Sequence, residues 1–144
     1  MLIERLTAAA VSQELLDAMN GLLPQLSSNA AALTLQRLDQ LLRTPSVRVF
    51  AARADGELAG MLTLIVAPIP TGFHGYIEDV VVDEAFRGYG IAERLIRAAL
   101  DAAREAGAHK VDLTSNPSRE AANRLYVRLG FERRETNTYR FQLR

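Results

Sequence analysis

Residues 77–92 contain, within one short stretch, the residue types that a phosphate-binding turn requires. An apolar run ending in Val80-Val81-Val82 is followed by a short polar turn and then by Arg87-Gly88-Tyr89-Gly90-Ile91-Ala92. Glycine adopts backbone conformations that other residues avoid, and it lets the main chain approach a ligand closely. The first amides of a helix lack partners within the helix and carry partial positive charge. The pattern therefore predicts a strand, a glycine loop and a helix start whose backbone N–H groups, from Gly88 to Glu93, bind phosphate.

Two common phosphate-binding motifs do not match this loop. A P-loop requires Lys followed by Ser or Thr after its second glycine, and neither follows Gly90. The dinucleotide-binding fingerprint requires a third glycine three residues after the second, and this chain has Glu93 there. Asp112 lies at a suitable distance along the chain for a ribose ligand, but without the third glycine the match is incomplete.

The loop resembles instead the Gln/Arg-x-x-Gly-x-Gly/Ala signature of the GNAT superfamily, the acetyl-CoA-dependent N-acetyltransferases. The matching hexapeptide, residues 87–92, follows Val80-Val81-Val82-Asp83 and opens an amphipathic helix. Residues 122–131, in which Tyr126 is followed by Gly130-Phe131, look like the second signature of the same family. The resemblance covers the chain from about Val47 onward; before it, only the predicted pattern of helices and strands agrees.

This resemblance implies acetyl-CoA as the cosubstrate and no metal. The strand edge at Val80-Val81-Val82 would pair with the pantetheine arm, and one valine amide would polarise the thioester carbonyl. Arg87 would touch phosphate or the adenosine end, or else be a surface charge. Glu93 stands where many members have a basic residue, so only its backbone would contribute. The cofactor-binding residues implied in this way are Val80, Val81, Val82, Arg87, Gly88, Tyr89, Gly90, Ile91, Ala92, Glu93 and Asn123.

Two side chains are candidate catalysts by the same resemblance. Tyr126 stands where the family often has a tyrosine that protonates the departing thiolate, although it could equally serve only in packing. Glu78 lies on a predicted central strand, where an ionised group is costly without water or a partner. Several members place near this position a glutamate that removes the amine proton through water; Glu78 could instead order the acceptor pocket or pair with an arginine. Strand alternation predicts Asp79 on the opposite face. His74 is a weaker candidate base, and His109 is interpreted as a surface residue.

Composition narrows the class of protein further. The chain has 144 residues, which predicts a single domain over residues 1–144. Its 17 basic and 17 acidic residues balance, so no overall charge favours nucleic acid or a membrane. Without cysteine there is neither a disulfide nor thiol chemistry. The first residues lack the pattern of a signal peptide, no membrane span is evident, and the expected location is the cytoplasm.

Hydrophobic spacing predicts the elements that position these residues. The first half should contain an edge strand at 2–6, a helix capped by Ser12 and ended by Pro24 with residues 27–29, and a short helix capped by Thr34. The resemblance implies that these two helices cover the acceptor side and determine much of the specificity. Strands are predicted at 47–54 and 57–67, joined by Asp55-Gly56.

The second half is predicted to alternate between strands and helices. Pro68 and Pro70 should break the second strand, so that 68–72 forms a loop that either reaches the acceptor pocket or only connects. After this loop we expect a strand at 76–83, a helix ended by Gly107 and a strand at 110–115. A helix from 116–118 to Gly130 and a last strand at 138–143 should complete the chain. The fold class is therefore mixed α/β, with a mostly antiparallel sheet flanked by helices. The resemblance adds a splay between the two central parallel strands.

These observations favour an N-acetyltransferase that moves the acetyl group of acetyl-CoA to a primary amine of a small molecule or protein by direct attack. Residues 76–82 look more like small-amine members of the family than like protein-acetylating ones. A module that binds acyl-CoA without turnover is the alternative, and a nucleotide-binding protein is the third reading. Members of the superfamily are often dimers, so a homodimer is compatible with the resemblance.

Overall fold

The computed structural model describes residues 1–144 and divides into two compact units, Met1–Thr114 and Ser115–Arg144. The first unit contains β1 (Leu2–Leu6), α1 (Gln13–Leu26), α2 (Leu35–Arg43), β2 (Val47–Ala54), β3 (Glu57–Ile69), β4 (Gly72–Val82), α3 (Ile91–Glu105) and β5 (Lys110–Asp112). The second unit contains α4 (Glu120–Arg128). None of these helices is long and apolar enough to cross a membrane.

One five-stranded sheet, in the order β1-β2-β3-β4-β5, organises the first unit. Every neighbouring pair is antiparallel except β4 and β5, which are parallel. The predicted fold class, a mixed and mostly antiparallel sheet flanked by helices, is confirmed. β1 lies at one edge of the sheet, as its short alternating sequence indicated.

The two hairpins show one prediction that holds and one that is wrong. Asp55 and Gly56 both have positive φ, 53° and 79°, as a two-residue primed turn requires. The loop predicted at 68–72 is shorter in the structure, a turn at Pro70 and Thr71, because β3 continues through Pro68, which pairs with Phe73. β2 pairs with β3 only as far as Ile65, so the missing N–H of Pro68 leaves no bond unmade on that side.

Side-chain caps begin the two helices of the front half, as predicted. Ser12 Oγ accepts from the Leu15 amide at 3.0 Å, and Thr34 Oγ1 accepts from the Arg37 amide at 3.1 Å. The helix α1 continues past Pro24 to Leu26 and has Ser27 as its C-cap, so residues 27–29 end it as predicted and Pro24 does not. One hydrophobic cluster joins α1 and α2 to the sheet, and it contains Leu6, Leu15, Leu16, Met19, Leu22, Leu38, Val49, Ala51, Leu58, Met61 and Val81.

The helix α3 is amphipathic, as predicted, and its buried residues are Ile91, Leu95, Ile96, Ala99 and Ala103. The helix ends in a Schellman motif, in which Gly107 donates to the Arg104 carbonyl and Ala108 to the Ala103 carbonyl, each at 3.0 Å. Gly107 takes the left-handed conformation that this ending requires, with φ 85°.

The last part of the chain departs most from prediction. α4 begins at Glu120 rather than at 116–118, because Asn116 Oδ1 accepts from the Ser118 amide at 2.9 Å and closes a turn instead of capping a helix. The buried residue of α4 is Tyr126, whereas Ala122 and Leu125 are half-buried. β5 ends at Asp112 instead of residue 115, and the strand predicted at 138–143 is absent.

Gly60 on β3 permits a close approach between the helix α3 and the sheet. A Cβ at Gly60 would lie 2.9 Å from the Val81 carbonyl oxygen and 3.3 Å from side-chain carbons of Ile91 and Leu95. Any larger residue would therefore push the first turn of α3 away from the sheet.

We expect Gly60→Ala to lower the free energy of unfolding by about 1–3 kcal/mol, because the added methyl overpacks this contact. Gly21→Ala is the matched control, since Gly21 lies within α1 and a Cβ there meets no atom within 4 Å. The control should raise stability by about 0.5–1 kcal/mol. Chemical denaturation of both variants measures the difference, and a Gly60→Ala protein as stable as the parent would contradict the packing argument.

Candidate functional site

The glycine loop before α3 has the backbone that the sequence predicted. Gly88 and Gly90 both lie in the left-handed region, with φ 89° and 76°. A Cβ at either position would meet no atom within 4 Å, so the backbone conformation, and not lack of space, requires glycine there. Gly90 is the residue that precedes the first turn of α3, and no side chain caps that turn.

The uncapped first turn of α3 offers backbone donors to a ligand. The first hydrogen bond within the helix runs from the Arg94 amide to the Gly90 carbonyl at 3.2 Å. The amides of Ile91 and Ala92 precede it and have no acceptor within the helix. The helix dipole adds partial positive charge at the same place, so this turn suits an anion.

The negative charge of Glu93, in this first turn, has a positively charged neighbour. Arg97 Nε lies 3.4 Å from Glu93 Oε2, one helical turn further along α3. This cationic neighbour reduces the repulsion between the Glu93 carboxylate and a bound phosphate.

Arg87 ties the loop to the end of β4. Its Nε donates to the Val82 carbonyl at 3.2 Å, and the side chain is otherwise exposed. The preceding turn is fixed as well, since the Asp83 amide donates to the Ala59 carbonyl at 2.8 Å and Asp83 Oδ1 accepts from the Ala85 amide at 2.9 Å. The loop therefore leaves β4 in a defined direction.

The edge of β4 that faces β5 is paired only at its start. β5 pairs with β4 at His74, Gly75 and Tyr76, and the register goes no further. β5 itself ends at Asp112 and lies at the edge of the sheet, so the predicted splay between two central parallel strands stays a prediction. Because the Asp83 amide bonds to β3, alternation directs the N–H and C=O of Val82 away from β3, toward the edge that β5 leaves unpaired.

A β-bulge interrupts β4 beside Glu78. Thr63 pairs with Glu78 and Met61 with Val81, so two residues of β4 oppose one residue of β3. Asp79 lies within the bulge and has φ 52°, a left-handed conformation that aspartate tolerates better than most residues. Because alternation is interrupted at a bulge, the pattern alone no longer determines the face of Asp79, and its place on the face opposite Glu78 stays a prediction.

The bulge also determines the face of the sheet on which the Glu78 side chain lies. Paired residues of an antiparallel ladder project on one face, and Met61 and Thr63 are two apart on β3. Glu78 and Val81 consequently face the same side, the side of the cluster under α1 and α2 that contains Val81. Glu78 is exposed, yet its pKa is raised, first by loss of hydration to the surrounding protein and second by the neighbouring negative charge of Asp79.

Tyr126 lies in the second unit and is held from both ends. Gly130, with φ 104°, ends α4 in a Schellman motif in which Phe131 donates to the Tyr126 carbonyl at 3.0 Å. The rings of Tyr126 and Phe131 meet edge to face with centroids 5.9 Å apart. Tyr126 is only 8 % exposed. Burial raises the pKa of its phenol, and the charge of Arg119 opposes that rise.

Two further polar groups of the second unit complete the description. Asn123 Nδ2 donates to the Asn116 carbonyl at 3.0 Å, so this amide supports the turn before α4. Ser115 Oγ is buried without any hydrogen-bond partner, a state that costs free energy unless a ligand satisfies it. Sequence reasoning missed Ser115, because a serine after a strand carries no signal of its own.

Both histidines lie at the end of β4 remote from the loop. A Cβ at Gly72 would lie 2.7 Å from His109 Cδ2 and 3.5 Å from His74 Nε2, so the two rings flank the start of the strand. His109 is exposed, as predicted, and its amide donates to the Phe73 carbonyl at 2.8 Å.

A cavity of about 460 Å³ opens beside α1 and the β2–β3 turn. Its lining includes Ser12, Glu14, Glu57 and Asp83. No residue of the predicted catalytic or cofactor-binding set lines it, although Phe86, the residue before Arg87, does.

Comparison with known proteins agrees with this geometry. The acetyltransferase (GNAT) family profile matches residues 10–131, and the chain belongs to that family. An N-alpha-acetyltransferase MAK3 of Arabidopsis thaliana is 37 % identical over 84 residues, 58 % of this chain and 44 % of that protein. Glucosamine 6-phosphate N-acetyltransferase 1 of Oryza sativa subsp. japonica is 32 % identical over 134 residues, 90 % of this chain and 79 % of that protein.

The fold has well-matched solved counterparts. An aminoglycoside N-acetyltransferase solved in complex with CoA superposes with a TM-score of 0.81 at 20 % identity, over 99 % of this chain and 94 % of that one. At this identity the likeness shows the fold alone. The chain spans only 44 %, 60 % and 58 % of the length of three curated relatives it matches.

We expect Asp79→Asn to lower the pKa of Glu78, because a neutral amide removes one of the two causes that raise it, while asparagine still accepts the left-handed backbone. An NMR titration of the Glu78 carboxyl carbon measures this shift. Asp101→Asn is the control: Asp101 is an exposed residue of α3, 2.9 Å from Arg104, and it should leave Glu78 unchanged. If Glu78 titrates identically in Asp79→Asn and the parent, the two carboxylates do not interact.

Proposed function

We propose that this chain is an N-acetyltransferase that moves the acetyl group of acetyl-CoA to a primary amine by direct attack. One observation carries the proposal: a left-handed glycine loop at Gly88 and Gly90 opens α3 directly beyond the unpaired edge of β4. Membership of the acetyltransferase (GNAT) family and relatives named as N-acetyltransferases support it. No observation favours a module that binds acyl-CoA without turnover.

The proposed cosubstrate site uses mainly backbone groups. The diphosphate lies on the amides of the loop and of the first turn of α3, and the pantetheine arm adds to the open edge of β4 as a further strand. The Val82 N–H already faces that edge, whereas the Val82 carbonyl accepts from Arg87 Nε at 3.2 Å. The set proposed to contact acetyl-CoA is Val80, Val81, Val82, Arg87, Gly88, Tyr89, Gly90, Ile91, Ala92, Glu93 and Asn123.

The proposed chemistry begins with the acceptor amine, which must be neutral to attack. Glu78 accepts the proton of the ammonium group through water, and its raised pKa makes it a stronger base than an ordinary glutamate. The amine nitrogen then bonds to the thioester carbonyl carbon while a β4 backbone amide stabilises the carbonyl oxygen. The nitrogen releases its second proton to water as the carbon–sulfur bond breaks, which leaves a neutral amide and a thiolate.

The departing sulfur takes its proton from Tyr126 in this scheme. Burial raises the pKa of the phenol, which therefore remains protonated and available as a donor at neutral pH. The Arg119 charge, which lowers that pKa, stabilises the phenolate that remains after the transfer. Bulk water returns a proton to Tyr126 and removes the one held by Glu78, so the cycle balances without a metal.

The negative charge beside Glu78 indicates which class of amine the site accepts. Glu78 and the exposed Asp79 stand together at the bulge, and two adjacent carboxylates favour an acceptor that is cationic before reaction. The relatives include enzymes named for a protein N-terminal amine and for an amino sugar phosphate. We propose a small-molecule amine as the acceptor, with a protein amine as the second choice.

The remaining features of the proposal concern organisation. Residues 1–144 act as a single N-acetyltransferase domain, supported by a family profile that spans residues 10–131. The proposed location is the cytoplasm, the proposed assembled form is a homodimer, and nucleic acid and membranes are not among the proposed partners.

A panel of primary amines, assayed with acetyl-CoA by detection of released thiol, tests the activity. We expect turnover with at least one small cationic amine, and Tyr126→Phe should reduce kcat by about 100-fold while leaving acetyl-CoA affinity unchanged. Val127→Ala is the matched control, because Val127 is the exposed neighbour of Tyr126 on α4. Binding of CoA without turnover on any amine would instead support the non-catalytic module.

We expect Gly90→Glu to weaken acetyl-CoA binding at least about tenfold, since it places a carboxylate where phosphate should lie. Gly90→Gln has the same backbone strain and almost the same volume without the charge, so it should lose less affinity. Isothermal titration with acetyl-CoA measures both variants. Unchanged affinity in Gly90→Glu would remove the loop from the site.

A further inference from the structure

The cavity of about 460 Å³ beside α1 is a groove that follows one face of the helix. The residues of α1 that line it are adjacent or three to four positions apart, namely Glu14, Leu15, Ala18, Gly21 and Leu22. Residues at this spacing lie on one side of a helix. With a rise of about 1.5 Å per residue, the lined face extends roughly 12 Å from Glu14 to Leu22. The cavity, here called the α1 groove, is therefore elongated, and it has the volume of a small-molecule site.

The end of the sheet at the β2–β3 turn forms the opposite wall of the α1 groove. This wall contains Arg53, Gly56, Glu57, Leu58, Asp83 and Phe86. Gln25, in the last turn of α1, accepts a hydrogen bond from the Glu84 amide at 3.0 Å. This bond holds the end of α1 beside the residues that follow β4. The groove consequently leads from the first turn of α1 toward Asp83.

Apolar side chains form the interior of the α1 groove, and the helix leaves space within it. Leu15, Leu22 and Leu58 are buried, and Phe86 is half-buried. Gly21 has no side chain, and a Cβ at this position would meet no atom within 4 Å. The space beside this part of α1 therefore suits the apolar part of a ligand.

The charged residues of the α1 groove are mainly acidic. Glu14, Glu57 and Asp83 carry carboxylates, and Arg53 is the one basic residue of the lining. Arg53 Nε lies 2.8 Å from Glu4 Oε1, so a residue outside the lining already balances its charge. Glu14 and Glu57 take part in no ion pair. The groove therefore carries negative charge that a cationic ligand would balance.

The carboxylates stand at separate positions along the groove. Glu14 lies in the first turn of α1, whereas Asp83 precedes the residue that Gln25 binds at the other end of the helix. Asp83 Oδ1 accepts from the Ala85 amide, which leaves Oδ2 as the oxygen available to a ligand. No three such side chains are grouped closely enough to hold a metal ion. Two positive charges joined by an apolar chain match this arrangement better than one compact cation does.

We propose that the α1 groove binds a linear diammonium ion, an organic cation with one ammonium group at each end of an aliphatic chain. One ammonium group pairs with Glu14 and the other with Asp83, while Glu57 adds negative charge from the opposite wall. The chain between them lies on the leucines of the interior and loses its contact with water there. Because Glu78 and the glycine loop do not line the groove, this site is additional to the proposed acceptor and cosubstrate sites. The inference does not depend on the proposed acetyl transfer.

Isothermal titration of the protein without acetyl-CoA tests the choice of ligand. Diaminooctane has two charges and a chain that approaches the length of the groove. Octylamine has the same chain with one charge, and diaminobutane has both charges on a shorter chain. We expect saturable binding of diaminooctane at millimolar concentration, about fivefold tighter than either of the other two amines. Equal affinity for octylamine and diaminooctane, or no binding of diaminooctane, would contradict the proposal.

Charge removal tests the lining. Glu14→Gln with Glu57→Gln should weaken diaminooctane binding about tenfold, because two carboxylates of the groove are lost. Both side chains are exposed, so the circular dichroism of the parent should be kept. Asp17→Asn with Glu105→Gln is the matched control, since it removes two exposed carboxylates that do not line the groove. An equal loss of affinity in the control would reduce the effect to general charge attraction and overturn the proposal.

Amide chemical shifts measured by NMR distinguish the α1 groove from the proposed acceptor site, which also attracts cations. We expect diaminooctane to shift the amide signals of Ala18, Gly21 and Glu57, and Glu78→Gln to bind it as tightly as the parent. Shifts confined to Glu78 and Asp79, together with lost affinity in Glu78→Gln, would mean that the diamine binds only as an acceptor. That result would overturn the groove as a site and leave the proposed function intact.

Discussion

The close contact between the first turn of α3 and the sheet is the constraint on which the candidate site depends. Gly60 lacks a side chain, so Ile91 and Leu95 can lie directly against the backbone of β3. This contact fixes the start of α3 beside the end of β4, and the chain must return between them within a few residues. Only a turn with left-handed residues, Gly88 and Gly90, connects the two while leaving the first helix amides unused. Packing under the helix thus determines where an anion can bind.

A second constraint acts on β4 itself. The extra residue at Asp79 lets Val81 enter the cluster beneath α1 and α2 while Glu78 keeps the same face. A regular strand would instead place Val80 and Val82 on the face of Glu78. The left-handed residue Asp79 therefore has two effects on β4. Val81, after the bulge, packs in the core, and Glu78, before the bulge, keeps its carboxylate exposed. The cost of that backbone conformation is modest for aspartate and would be larger for a β-branched residue.

The sequence correctly predicted features that depend only on residues near each other in the chain. Ser12 and Thr34 cap helices because a cap needs only a side-chain oxygen and the next amides. The predicted strand break at Pro68 is wrong. A strand accepts proline where the neighbouring strand does not need its N–H, which depends here on how far β2 extends, and the residues around Pro68 carry no information about that. The bulge at Asp79 is likewise a property of the register between two strands. The alternation at 138–143 predicted a strand that the structure does not contain, because alternation within a segment does not determine whether a neighbouring strand is there to pair with it.

Electrostatics raises the pKa of both candidate catalysts, and this common direction suits a carboxylate base and a phenol acid alike. Loss of hydration raises the pKa of both Glu78 and Tyr126, since it disfavours the charged form of each. For the glutamate this moves the titration toward neutral pH and strengthens the base without abolishing its ionised form. For the phenol, which titrates far above neutrality already, the same effect keeps the proton in place until a stronger base, such as a departing thiolate, takes it. Arg119 then limits the cost of the phenolate, so a single physical cause supports both proton transfers of the proposed reaction.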